Sequence, residues 1–265
     1  MKFLCVSDMI DPLVYSTTVK ERYGDVDAVF CAGDLPMDYI EYIVTSLGKP
    51  TFFVFGNHNL SEFKYYKNPK SAGSEIELLK HRHGADYVSN RVIRCKNLNF
   101  TTKSGKKTPL LICGVSGSRK YNNGECQYTD FQMKMQLLKM APSLIWNKIR
   151  YGRYCDIFLT HASPRHIHDK EDPCHVGFES FNWFIKKFEP SILIHGHIHL
   201  YDLQEVRSTI LGKTNVINCY AHLIIEFNQE INDLKSPKSP NSTKNKKSED
   251  KIERHVYINT SRWRF

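Results

Sequence analysis

Seven residues able to hold or assist a cation each follow a short apolar run. Asp8 follows KFLCVS, Asp34 follows VFCAG, Asn57 and His58 follow FFVFG, and His161 follows IFLT. The run SILIH leads through Gly196 into His197, Ile198 and His199. Carboxylate, amide and imidazole donors gathered in one place form an oxygen–nitrogen cage suited to Mn²⁺, iron or Zn²⁺. An Asp or Asn after a strand is ordinarily only a turn former. The ordered series GD, GNH, TH and GHxH after successive apolar runs is harder to assign to turns alone. Glycines before Asp34, Asn57 and His197 let the backbone turn sharply, so that these side chains leave their strands toward a common point.

The elements that must position them are legible as runs of β-branched and aromatic residues at 2–6, 27–31, 51–55, 109–115, 155–160 and 191–195. Their length and their Gly, Asp, Ser or His stops predict buried strands. Two later runs, 214–219 and 221–227, predict a final hairpin or edge pair. Helical periodicity falls between them at 37–47, 74–83, 130–149 and 178–188, with Ser74 and Glu77 spaced for a capping box. Strands alternating with helices predict an α/β domain, and loops at the carboxyl ends of such strands converge on one site.

The chain has 265 residues, 41% hydrophobic and 25% charged, ordinary for a globular protein with one sizeable core. Its net charge of +9 is unevenly placed, because residues 235–265 carry nine Lys/Arg against three Asp/Glu. The body is therefore nearly balanced, which argues against a nucleic-acid surface read from overall charge alone. We read 1–234 as the folded domain, the Lys/Ser/Pro-rich 235–251 as a flexible basic loop, and 252–265 as a strand-like C-terminal segment. No apolar run is long enough to cross a bilayer, and the N-terminus reads as a strand rather than a signal peptide, so a cytoplasmic location is expected. Among the eight cysteines, Cys5, Cys31, Cys113 and Cys155 lie in apolar stretches and no CxxC occurs, which predicts reduced, packed thiols.

The residues Gly33-Asp34, Gly56-Asn57-His58, His161 and Gly196-His197-Ile198-His199 resemble the ordered signature of the calcineurin-like metallophosphoesterases. The likeness runs from residue 1 to about 227 and is to small bacterial-type members. It includes the glycine-rich turn Gly114–Ser118, and Gly177 with the pair His168-Asp169. It implies a four-layer α/β/β/α sandwich and two divalent ions about 3.5 Å apart. By this resemblance Asp34 bridges both ions, Asn57, His161 and His197 complete one site, and Asp8 and His199 serve the other. His58 is the non-ligand acid that protonates the leaving oxygen. The pair of ions would generate hydroxide near neutral pH and polarise the phosphoryl group.

The first motif departs from the family's Asp-x-His, since Ile10 stands where a ligating histidine is expected. The Asp8/His199 site is thus one ligand short, with Asp11 as a candidate substitute ligand and, alternatively, only a turn former before Pro12. An oxygen donor there would favour Mn²⁺ or Mg²⁺ over Zn²⁺. One or two ions per chain are expected, Mn²⁺ first, with iron, Zn²⁺ or Mg²⁺ as alternatives. Asn59 also replaces the acid that commonly follows GNH. The expected reaction is hydrolysis of a phosphodiester or small-molecule phosphate, because 59–63 lacks the arginines of the dedicated protein phosphatases. Arg119, Lys120 and Arg165 are candidate substrate-binding residues, and 60–75 and 119–130 candidate pocket walls. Two other readings are a non-catalytic scaffold, as in the retromer subunit of this fold, and a nuclease gripping its substrate through 235–251. Retention of His58 disfavours the first and the balanced body the second. No membrane partner is expected, and the oligomeric state is not legible.

Overall fold

The computed structural model describes residues 1–202, 205–229, 231 and 254–259. Among them, fourteen strands form two six-stranded sheets and one short pair. From edge to edge the first sheet runs β14 (Arg254–Asn259), β13 (Ala221–Gln229), β1 (Lys2–Ser7), β2 (Ala28–Cys31), β3 (Thr51–Phe53) and β4 (Asp86–Tyr87). The second runs β11 (Ser208–Leu211), β12 (Thr214–Asn218), β10 (Ile192–His195), β9 (Ile157–Thr160), β6 (Lys107–Val115) and β5 (Arg91–Thr101). The pair is β7 (Ser118–Arg119) with β8 (Gln127–Tyr128).

Neighbours from β1 to β4 are parallel, as are β12, β10, β9 and β6, while β13, β14, β11 and β5 run antiparallel to their partners. The parallel strands read as nearly continuous apolar runs because both of their faces are covered. In β1, Phe3 and Cys5 join the core between the sheets, whereas Leu4 and Val6 pack under the helices α1 (Val19–Tyr23) and α2 (Met37–Leu47). In β9, Ile157 and Leu159 point between the sheets and Phe158 packs beneath α5 (Asp130–Tyr151) and α6 (Glu179–Phe188). The result is a four-layer α/β/β/α sandwich. Two short helices, α3 (Phe63–Lys67) and α4 (Glu75–Lys80), occupy the connection from β3 to β4.

Register decides where the candidate ligands emerge. Val6 pairs with Cys31, so the loops after β1 and β2 leave the first sheet at one edge, tied by the Asp8 amide to the Gly33 carbonyl at 3.1 Å. In the second sheet the Gly196 amide donates to the His161 carbonyl at 3.0 Å. The edges meet where the His197 amide reaches both Asp8 carboxylate oxygens at 2.9 and 3.0 Å. The basic stretch 235–251 lies outside the described residues, and 254–259 form the outer strand of the first sheet.

Candidate metal centre

Asp8, Asp34 and His197 have φ of 68°, 58° and 67°, in the left-handed region that costs an L-residue energy. Such strain persists only where the surroundings fix it, and here it turns three side chains inward at the junction of the sheets. Close packing fixes a fourth position: a Cβ on Gly56 would collide with the Asp34 carboxylate and the His161 ring.

Tautomers follow from the backbone. His161 Nδ1 lies 2.8 Å from the Ala32 carbonyl and His197 Nε2 lies 2.8 Å from the Cys174 carbonyl. A carbonyl only accepts, so each of these nitrogens donates. The opposite nitrogens, His161 Nε2 and His197 Nδ1, then face each other at 3.1 Å, and Asp34 Oδ2 stands 3.3 Å from His161 Nε2. Asp34, His161 and His197 each bring a donor atom within 4.8 Å of the others, all three side chains being buried. Asn57 donates from Nδ2 to the Tyr121 hydroxyl at 3.2 Å, while its Oδ1 is buried without a hydrogen-bond partner. Leaving such an acceptor unmet is costly. Lone pairs aimed at one another and an orphaned amide oxygen beside them are what a divalent cation satisfies, so these residues fit one.

Without a cation, a proton holds the cluster together. Burial opposes a charge on His161, but the Asp34 carboxylate, by its charge and hydrogen bond, lifts it to about 9. Burial likewise opposes ionisation of Asp34, yet His161 and the His58 amide, which donates to Oδ1 at 2.7 Å, hold it well below the usual carboxylate range. Burial and then the charge of His161 push His197 down to about 3.

The Asp8/His199 side is built differently. The Asp8 side chain is fully buried, and that burial raises it above the usual carboxylate range against the pull of His161. His199 is 42% exposed, with Nε2 3.8 Å from Asp8 Oδ1. Its ring stacks on Tyr220 and its Nδ1 lies 3.0 Å from the Tyr201 hydroxyl. Ile10 is exposed. The structure does not bring Asp11 into the cluster: its Oδ2 bonds His222 Nδ1 at 2.6 Å, its Oδ1 accepts the Leu13 amide, and His222 reaches Tyr23 behind. Both Asp11 carboxylate oxygens are thus engaged away from the cluster.

His58 is exposed beside Asp34, through whose carboxylate its amide is anchored. Asn59, instead of an acid, donates to the Asp34 carbonyl at 2.8 Å. Of the candidate substrate cations, Lys120 is exposed and Arg119 sits 3.5 Å from Asp130 and over the Phe178 ring. Arg165 is held by Asp169 at 2.7 Å and Glu171 at 2.8 Å. Sequence reasoning placed Tyr121 only within the 119–130 pocket wall and missed the Cys174 carbonyl, Tyr201 and Tyr220, which contact the ligands without carrying any motif of their own. It also missed the pair behind His197, in which His168 Nδ1 lies 3.0 Å from His195 Nε2.

The Calcineurin-like phosphoesterase family model matches residues 1–201. The chain belongs to the calcineurin-like phosphoesterases. That family is one of metal-dependent phosphoester hydrolases. Among solved structures, one crystal structure aligns with a TM-score of 0.57 and 14% identity over 84% of this chain and 93% of its own. The protein TT1561 of Thermus thermophilus aligns with a TM-score of 0.54 and 16% identity over 84% and 92%. Both likenesses concern the fold. Wild-type Vps29 complexed with Zn²⁺ from Entamoeba histolytica reaches only 0.38 at 11% identity, over 97% of this chain and 99% of its own, too loose to bear on function. No curated protein matches this calcineurin-like chain. Among its described residues no helix is long and apolar enough to cross a membrane.

Proposed function

We propose that this chain hydrolyses a small phosphorylated compound, a phosphodiester or a small-molecule phosphate, with His58 as the general acid. The observation that carries the reading is the preformed donor set of Asp34, Asn57, His161 and His197, with tautomers locked and one acceptor orphaned. A divalent cation held there, Mn²⁺ first, supplies Lewis acidity toward phosphoryl oxygens and a nucleophile near neutral pH. Asp34 presents Oδ2 to His161 and keeps Oδ1 on the His58 amide, so the carboxylate also fixes the loop that bears the acid. Exposed beside that carboxylate, His58 can meet a leaving oxygen and donate its proton. Tyr121 holds Asn57 in place, and the neighbouring Lys120 offers an exposed cation for substrate phosphate.

The test is a Mn²⁺-supplemented assay on bis-p-nitrophenyl phosphate and p-nitrophenyl phosphate, with His58→Ala beside the native chain. Metal-dependent release of p-nitrophenol, lost on chelation and strongly reduced in His58→Ala, is the expected result. A chain that binds Mn²⁺ and leaves both substrates intact would be a scaffold and not an enzyme.

A further inference from the structure

Helix α5 has two apolar seams, and only one of them faces the protein. Met133, Leu137, Met140 and Leu144 are buried against the second sheet and α6. On the solvent side stand Phe131, Met135, Leu138, Pro142, Ile145 and Ile149, all exposed. Their spacing is 4-3-4-3-4, the a/d repeat of a helix that packs along another helix. Six of the fifteen exposed large hydrophobics among the described residues sit on this one helix, counting Trp146. The helix is 22 residues long, and the seam from Phe131 to Ile149 extends about 27 Å along it. A capping box at Thr129 and Gln132 and a left-handed Gly152 close its ends, and it runs unbroken through Pro142. The seam is therefore a fixed surface.

The margins of the seam decide what it fits. With Met135, Pro142 and Ile149 at a and Phe131, Leu138 and Ile145 at d, the flanking g positions hold Lys134, Ala141 and Lys148. The e positions hold Gln132, Lys139 and Trp146. No Asp or Glu occurs from Phe131 to Tyr151. Asp130, at the start of the helix, already accepts the Ser180 amide and lies by Arg119. A further cation, Arg94 of β5, lies along one side, reaching Asn147 and the Ser143 carbonyl. A second copy of this chain would set lysines against lysines, which is repulsive at these positions. We infer that the outer seam of α5 docks an amphipathic helix of another protein whose apolar stripe is bordered by glutamates or aspartates.

The probe is a synthetic three-heptad peptide with leucine at a and d and glutamate at e and g, labelled for fluorescence anisotropy with the full chain. Its control carries lysine at e and g. The glutamate peptide binds in the micromolar range and weakens with added salt, and the lysine peptide binds at least about tenfold more weakly. Replacing Ile145→Asp and Ile149→Asp together raises Kd for the glutamate peptide by at least about tenfold. Because both residues are exposed, thermal unfolding is unchanged. The charge swap Lys134→Glu, Lys139→Glu, Lys148→Glu inverts the preference toward the lysine peptide, a gain of binding that misfolding cannot mimic. Equal binding of both peptides, or of neither, overturns the proposal. So does a dimer in sedimentation equilibrium that Ile145→Asp dissociates, which would assign the seam to a second copy. Binding to phosphatidylcholine–phosphatidylserine vesicles without binding of the glutamate peptide would assign it to a membrane surface instead.

Discussion

The two halves of the metal centre are unequal. On one side Asp34, Asn57, His161 and His197 come from loops after four different strands, two in each sheet. The free nitrogens of His161 and His197 are set by backbone carbonyls on the far side of each ring, while the Tyr121 hydroxyl holds Asn57 and the His58 amide holds Asp34. On the other side Asp8 is buried, but both of its oxygens accept the His197 amide, and His199 is a half-exposed ring leaning on Tyr220. The first half is organised before any cation arrives. The second shares its only buried carboxylate with the backbone and lacks the histidine that Ile10 replaces. Preorganisation belongs to the residues that both sheets press together.

The largest effect expected from this asymmetry follows removal of the residue on which the organised half turns. Asp34→Asn takes away the charge that pairs with His161 and weakens the acceptor for the His58 amide. Bound Mn²⁺, counted by mass spectrometry, falls below one ion per chain, and hydrolysis drops by on the order of a thousandfold. The converse change, Asp8→Asn, leaves the first ion in place. Equal metal loss in both variants would erase the distinction between the halves.

His58→Ala tests a group that belongs to neither half as a ligand. Metal content stays at the native value, while kcat on bis-p-nitrophenyl phosphate falls by about a hundredfold. A parallel loss of metal would show that His58 acts through Asp34 and not as an acid.

How much of this was legible in the sequence depends on range. The strands were, because burial on both faces turns a parallel strand into an apolar run, as in KFLCV and IFLT. The ligand series was legible because each member directly follows its strand. The limits of Asp11 were not, since its partner His222 lies 211 residues away and nothing local marks the pair. Arg165 looked available until the loop placed Asp169 and Glu171 around it. Local signals also misled. Ser74 does accept the Glu77 amide, but Glu77 turns to Lys80, and the complete capping box is at Thr129 and Gln132. The helix expected over 74–83 keeps Ser74 as its N-cap but ends early, at Lys80.

The pH dependence of metal binding separates the halves by chemistry. A cation at the organised half needs the Nε2 lone pair of His161, which carries a proton below about 9. Asp34 stays ionised throughout, being held below the usual carboxylate range. Binding the first ion therefore releases one proton, and each unit of falling pH weakens it by about tenfold between pH 8 and 6. Titration calorimetry in buffers of different ionisation enthalpy reads the proton directly. An affinity flat with pH over that range would mean that His161 binds no proton for the ion to displace.

The smallest expected effect bears on the weaker half. Ile10→His restores the donor type that the family places two residues after Asp8, at a position exposed enough to accept the change without disturbing the core. By the family resemblance a second ion of the native chain would rest on Asp8, Asp34 and His199, and mild chelation is expected to leave about one ion per chain. The variant retains a second ion, with affinity raised by about tenfold, the scale on which a single supporting group tunes a metal site. Activity at saturating Mn²⁺ changes only a few-fold, because excess metal fills the native site as well. The gain appears instead at limiting metal, where the two chains differ most. If the native chain keeps two ions through the same chelation, Asp8 and His199 suffice without Ile10's missing histidine, and the halves differ in exposure but not in strength.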